Sequence, residues 1–162
     1  DVGRSKTSTS EPLRVSPRVG LVLRDASRLI VRKLRGDLVP LDLNITQYLI
    51  LRDVAESPGV NQRVLGKNID VAQPAVVVVV AALEKRGLIE RVRSERDRRN
   101  VSLYITPAGR AVMRRALRHV DALSTVALTG MSAAESSTLM RLLVRVQRNL
   151  ENAIDTAEAA GT

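Results

Sequence analysis

The sequence predicts a mainly α-helical fold with one small β-hairpin, and three observations carry that prediction. Apolar residues recur at steps of three and four along most of the 162-residue chain. Helix-start signals stand at Asn44-Ile45-Thr46-Gln47, at Thr106-Pro107 and at Ser132-Ala133-Ala134-Glu135. One stretch departs from the helical period. There Leu88, Val92, Val101, Leu103 and Ile105 are spaced as half-buried strand residues on either side of Ser94-Glu95-Arg96-Asp97-Arg98-Arg99-Asn100, which is too polar to bury.

Taken in order, residues 1–13 are rich in Ser, Thr and charge and read as a flexible tail. A helix follows from about Ser16 to Arg35, with Pro17 in its first turn. Val19, Val22, Leu23, Ala26, Leu29, Ile30 and Leu34 form its apolar stripe, and Gly36 is expected to end it. The capping box at Asn44 and Gln47 opens a second helix carrying Tyr48, Leu49, Leu51, Val54 and Ala55, which Ser57-Pro58-Gly59 breaks. A short helix over 61–68 has Val64 and Leu65 as its expected buried pair. The next helix runs from about Ala72 to Arg86, with Lys85 and Arg86 suiting the dipole in its last turn and Gly87 just past its end. The hairpin comes at once. After it, Thr106 caps a helix to about Leu128, Thr129-Gly130 interrupts, and a last helix runs to about Ala157. That helix carries Leu139, Leu142, Leu143, Val146, Leu150 and Ile154 as a sustained stripe.

Short helix, turn, second helix and basic hairpin together form the outline of a winged helix-turn-helix. Such a module can set its second helix in the major groove of DNA and its hairpin tip against the backbone or minor groove. The charge agrees: 26 Lys+Arg against 17 Asp+Glu give a formal net charge of +9. That excess favours a polyanionic partner, with a basic surface serving solubility alone as the alternative.

Other classes recede. Without cysteine there is no disulfide, thiolate redox sensor or cysteine-ligated metal, and His119, the single histidine, cannot form a cluster. No apolar run approaches membrane-span length and no signal peptide is visible, so a cytoplasmic chain without membrane partners is expected. No phosphate-cradling glycine loop or paired-carboxylate constellation suggests an enzyme, and no cofactor is implied. The first helix and the last two carry stripes wider than one small winged helix can cover. A two-fold dimer is one solution and an internal helical hairpin is the other.

These residues resemble the MarR family of bacterial transcriptional regulators from about Ser16 to Ile154. The most specific piece is LEKRGLIERVRSERDRRNVSLYITPAGR, Leu83 to Arg110, in which Asp97-Arg98-Arg99 fits the family's Asp-x-Arg wing motif. Ile45-Thr46-Gln47-Tyr48, Val64-Leu65-Gly66 and Leu128 to Glu135 support it. The resemblance implies an N-terminal dimerisation helix over 14–40, a DNA-binding winged helix over 41–106, C-terminal dimerisation helices over 107–157 and a tail over 158–162. It further implies a homodimer on a near-palindromic, double-stranded operator, usually repressing. Many members release DNA when a small phenolic or carboxylate effector binds between the dimer helices and the reading head.

Residue roles follow. Arg99 matches the wing arginine, which can insert into a narrow minor groove where the negative potential is enhanced. Asp97 orients it or ties the wing down, and Arg96 and Arg98 contact phosphate. Asn61, Gln62 and Arg63, at the start of the short helix, suit a phosphate. Gln73 is a candidate bidentate reader of adenine, and Pro74 pre-sets the helix start. The helix over 72–86 departs from the family, whose exposed face usually shows Ser, Thr and an Arg; here stand Ala75 and Val76 to Val80. If Leu83 faces the core, Val76, Val79 and Val80 do too, leaving Val77, Val78 and Ala81 outward. Val77 and Val78 then either pack on thymine methyls or read little sequence. For the effector, Arg24, Arg28, Tyr48, Arg52, Arg115, Arg118 and His119 are the polar groups on the cleft-lining helices, and their arginines suit an anionic ligand.

Overall fold

A computed structural model describes residues 18–69, 71–93 and 101–160. Its elements are α1 (Val19–Leu38), α2 (Ile45–Glu56), β1 (Val60–Asn61), α3 (Gln62–Asn68), α4 (Gln73–Lys85), β2 (Ile89–Arg93), β3 (Val101–Ile105), α5 (Pro107–Ala127) and α6 (Ala133–Ala160). The three strands form one antiparallel sheet in the order β1-β3-β2. Ile89 stands opposite Ile105 and Arg93 opposite Val101, which fixes the hairpin register. The expected tail at 1–13, Pro17 and the hairpin tip with Arg96, Asp97, Arg98 and Arg99 lie outside the described residues.

The core is aliphatic because the sequence offers little else. Leu38, Ile50, Leu51, Val54, Leu65, Val76, Val80, Leu83 and Leu103 are fully buried where α2, α4, the sheet and the end of α1 meet. The valine run is helical even though β-branched residues lose χ1 freedom in a helix. Val76, Val80 and Leu83 fall on one face at helical steps and enter the core, and this burial outweighs the propensity.

Three expectations need correction, and one strand carries no signal in the sequence. Gly36 does not end the first helix, because α1 continues to the fully buried Leu38 and then tightens into a 3-10 turn over Val39–Leu41. Val64 is exposed, so of the expected pair only Leu65 is buried. Val92 is also exposed, because the core face of β2 belongs to Ile89 and the half-buried Arg91, and alternation turns Val92 outward. The strand β1 was not anticipated: two residues are too few for a periodic signal, and it exists by pairing Val60 with Leu103 and Asn61 with Ser102.

The N-terminal half of α1 and nearly all of α6 remain outside this core. Val19, Val22, Leu29 and Ile30 on α1 are exposed, as are Leu142, Val144, Leu150 and Ile154 on α6. No residue of α6 is buried among those described, and α6 makes no extended contact with another element. None of the described helices is long and apolar enough to cross a membrane.

Candidate nucleic-acid interface

The reading head is α3 and α4, and each end of α4 is pinned. At its start, the Gln73 side-chain Nε2 donates to the Arg63 carbonyl at 2.7 Å, joining α4 to α3. Asn61 caps α3, its Oδ1 accepting the Arg63 backbone N–H at 2.8 Å. At the other end, the Arg86 guanidinium donates to the Leu41 carbonyl at 3.2 Å and to the Asp42 carbonyl, and Gly87 leaves the helix at φ 68°. The next element is anchored to the same place. Thr106 Oγ1 donates to the Gly87 carbonyl at 2.6 Å and accepts the Gly109 N–H at 3.0 Å.

The wing root is tied to α4 as well, because Arg91 Nε lies 2.9 Å from Glu84 Oε2. The outward face of α4 holds Pro74, Val77, Val78 and Ala81, all exposed. Val77 is 44% and Val78 69% accessible, so neither serves the core. From Pro74 to Ala81 this face bears no charge; the exposed Lys85 follows on it one turn beyond Ala81, and Gln73, at its edge, already holds α3. Gln62 is half-buried and Arg63 is exposed.

Among the candidate effector residues, the structure brings Tyr48 and Arg52 together on α2. Tyr48 is buried on α2 near Arg52, with Glu56 and Asp121 also close enough to act on it. Arg52 is engaged: its Nη2 donates to Asp53 Oδ1 at 2.7 Å, and Glu56 lies one turn on. Burial opposes the Arg52 cation, but the hydrogen bond and charge of Asp53, with Glu56, outweigh it and raise its pKa. Arg24 faces solvent beside Asp25, and Arg28, Arg115 and Arg118 are exposed. His119 is half-buried on α5.

Burial, with Glu56 and Asp121 adding to it and Arg52 opposing, pushes the Tyr48 phenol above its ordinary pKa of 10.0. A folded pKa above the unfolded one means this stability is complete below pH 10.0 and is lost as pH climbs through the folded value. An alkaline titration followed by tyrosinate absorbance and circular dichroism together should show Tyr48 ionising above pH 10.0 as the helices melt. Ionisation of Tyr48 at the ordinary value with the helices intact would contradict it.

A family model, described as MarR family, matches residues 43–101, from the approach to α2 through the wing. The uncharacterised HTH-type transcriptional regulator YybA of Bacillus subtilis is 32% identical over 111 residues, 68% of this chain and 74% of YybA. The chain belongs to the MarR family. It is a winged helix-turn-helix transcriptional regulator. Two crystal structures of similar chains bear on the site. FabT of Streptococcus pneumoniae in complex with DNA is 27% identical, with a TM-score of 0.70, covering 83% of this chain and 96% of FabT. CouR of Rhodococcus jostii bound to p-coumaroyl-CoA is 25% identical, with a TM-score of 0.69, covering 80% of this chain and 91% of CouR.

Against this MarR-family frame, sequence reasoning missed three positioning contacts: Arg86 on Leu41 and Asp42, Arg91 beside Glu84, and Gln73 on Arg63. The last two had a visible signal. Glu84 and Arg91 are opposite charges on neighbouring elements, and a polar Gln73 next to Pro74 at a helix start often satisfies backbone. The Arg86 contact spans more than forty residues and has no local sign.

Proposed function

We propose that this MarR-family regulator is a homodimeric repressor, acting in the bacterial cytoplasm, that grips a near-palindromic operator and releases it when a small anionic ligand binds. The observation that most supports the reading is the uncovered apolar surface on α1 and α6 beside an exposed, pinned recognition helix. A chain with that much apolar surface needs a partner, and a second copy is the commonest one. In this arrangement α4 enters the major groove. The Arg99 side chain enters the minor groove, and Arg63, Arg96 and Arg98 hold phosphates with Asn61 and Gln62 beside them. The effector cleft forms where the partner's helices close over Tyr48, Arg52 and His119, with Arg24, Arg28, Arg115 and Arg118 available to a carboxylate or phosphate. CouR, a structural neighbour, is bound to p-coumaroyl-CoA. The exposed apolar patch of Val77 and Val78 on α4 favours a second reading: an architectural or protein-interaction module of the same fold that reads little sequence.

Selection of bound duplexes from a random pool, with a salt titration on the winner, separates the two. The repressor reading expects one two-fold-symmetric site and affinity that falls steeply with salt. Arg99→Ala should then weaken binding about tenfold and lower the salt slope by about one. Equal binding to unrelated duplexes would put the second reading first.

A further inference from the structure

We infer that Val77 and Val78 read thymine in the operator through its C5 methyl group, making this a recognition helix that selects sequence by apolar contact. The inference rests on the DNA-binding reading above and goes beyond it by naming the base and the atoms.

The valines themselves supply the first observation. A β-branched side chain disfavours a helix, and Val76 and Val80 offset this by burial in the core. Val77 and Val78 do not, being 44% and 69% exposed. They stand with Pro74 and Ala81 on the outward face of a helix fixed at both ends and tied to the wing root. The same head is part of a chain with a net charge of +9, and Arg63 is exposed where Gln73 joins α3 to α4. The surroundings therefore suit a polyanion while the centre of the face is apolar.

Chemistry narrows the occupant. In the major groove guanine offers two acceptors, cytosine a donor, and adenine one of each; only thymine adds a methyl group. Valine can neither donate nor accept. Set over guanine or cytosine it would strip water from polar edges and return nothing. Set over thymine it buries methyl against methyl. Side chains three or four apart on a helix have Cβ atoms about 5–6 Å apart, and bases on one strand are about 3.4 Å apart. The patch from Pro74 to Ala81 thus spans adjacent base steps. The Gln73 amide, with one N–H on Arg63, keeps its second N–H and its Oε1 for a neighbouring adenine.

The test replaces thymine by uracil, which removes only the methyl, at each position of the selected operator, using the full-length protein. Each contacted methyl should be worth about fourfold in affinity, the equivalent of one buried carbon. Val78→Ala should lose affinity for the thymine operator and become indifferent to uracil at the position beneath it. Because Val78 is exposed and Ala favours helix, the variant folds, and circular dichroism verifies that. A selected operator that is insensitive to uracil at every position would overturn the inference while leaving the repressor reading intact. If no operator is selected, sequence readout itself fails, and the valine face belongs to a protein partner instead.

Discussion

Replacing Gly109 with alanine is expected to destabilise the fold by about 3 kcal/mol, at the upper end for an overpacked site. The cause is the closeness with which α5 begins against the hairpin. A Cβ at this position would sit 2.0 Å from the Leu88 carbonyl oxygen and 2.8 Å from Ile105 Cγ1. The first obstacle is backbone, so no side chain can simply rotate away. That backbone is held by its own bonds: Thr106 N–H donates to the Leu88 carbonyl at 3.1 Å, and Thr106 Oγ1 donates to the Gly87 carbonyl at 2.6 Å. Moving α5 outward would break these and open the contact between α5 and the core at Met113 and Ala116. Gly36→Ala serves as the control of opposite sign. Gly36 lies within α1 with nothing within 4 Å of an added Cβ, so alanine there should stabilise by about 0.5–1 kcal/mol. Denaturant unfolding of both variants measures the difference. A Gly109→Ala midpoint equal to wild type would mean that α5 can move off the hairpin freely.

The fold was legible where the determining signals are local. Asn44 and Gln47 form the reciprocal capping box that their spacing announces, with both hydrogen bonds at 2.9 Å. Ser132 and Glu135 do the same at the start of α6, and Thr106 caps α5. Helix ends governed by burial were less readable. Gly36 carries a stop signal, but Leu38 two residues on is drawn into the core and the helix follows it. The valine run shows the same balance in reverse: a segment with strand propensity is helical because Val76, Val80 and Leu83 bury together only at helical steps. In the site, the outward pair Val77 and Val78 was legible from the periodicity relative to Leu83. The engagement of Arg52 by Asp53 was not, because neighbours in sequence on a helix ordinarily face apart. Nor does one sequence indicate which of the candidate effector groups meet, since Tyr48 and Arg52 do so through the packing of α2.

The largest effect on function should come from the far end of the molecule. Leu150→Glu combined with Ile154→Glu is expected to yield a monomer whose operator affinity is lower by on the order of a hundredfold. Both residues lie one turn apart on α6, 58% and 57% exposed. The substitutions therefore remove nothing from the core of the chain itself, and carboxylates there remain in water in a single copy. In a dimer that covers this stripe the same carboxylates would be buried without partners, which strongly disfavours association. The winged helix is some distance along the chain and keeps its own core, so each monomer should still grip a half-site. What it loses is the second grip. Two heads held at fixed spacing make the second contact effectively intramolecular, and that advantage disappears when the heads part. The expected pattern is thus specific: helical content near wild type, monomeric mass by sedimentation, weak half-site binding retained, and no preference for a full site over a half-site. A double variant that remained dimeric and kept full operator affinity would move the interface away from α6, leaving the stripe on α1 and the groove between α1 and α5, lined by Leu29, Ile30, Leu123 and Val126, as the surface that carries it.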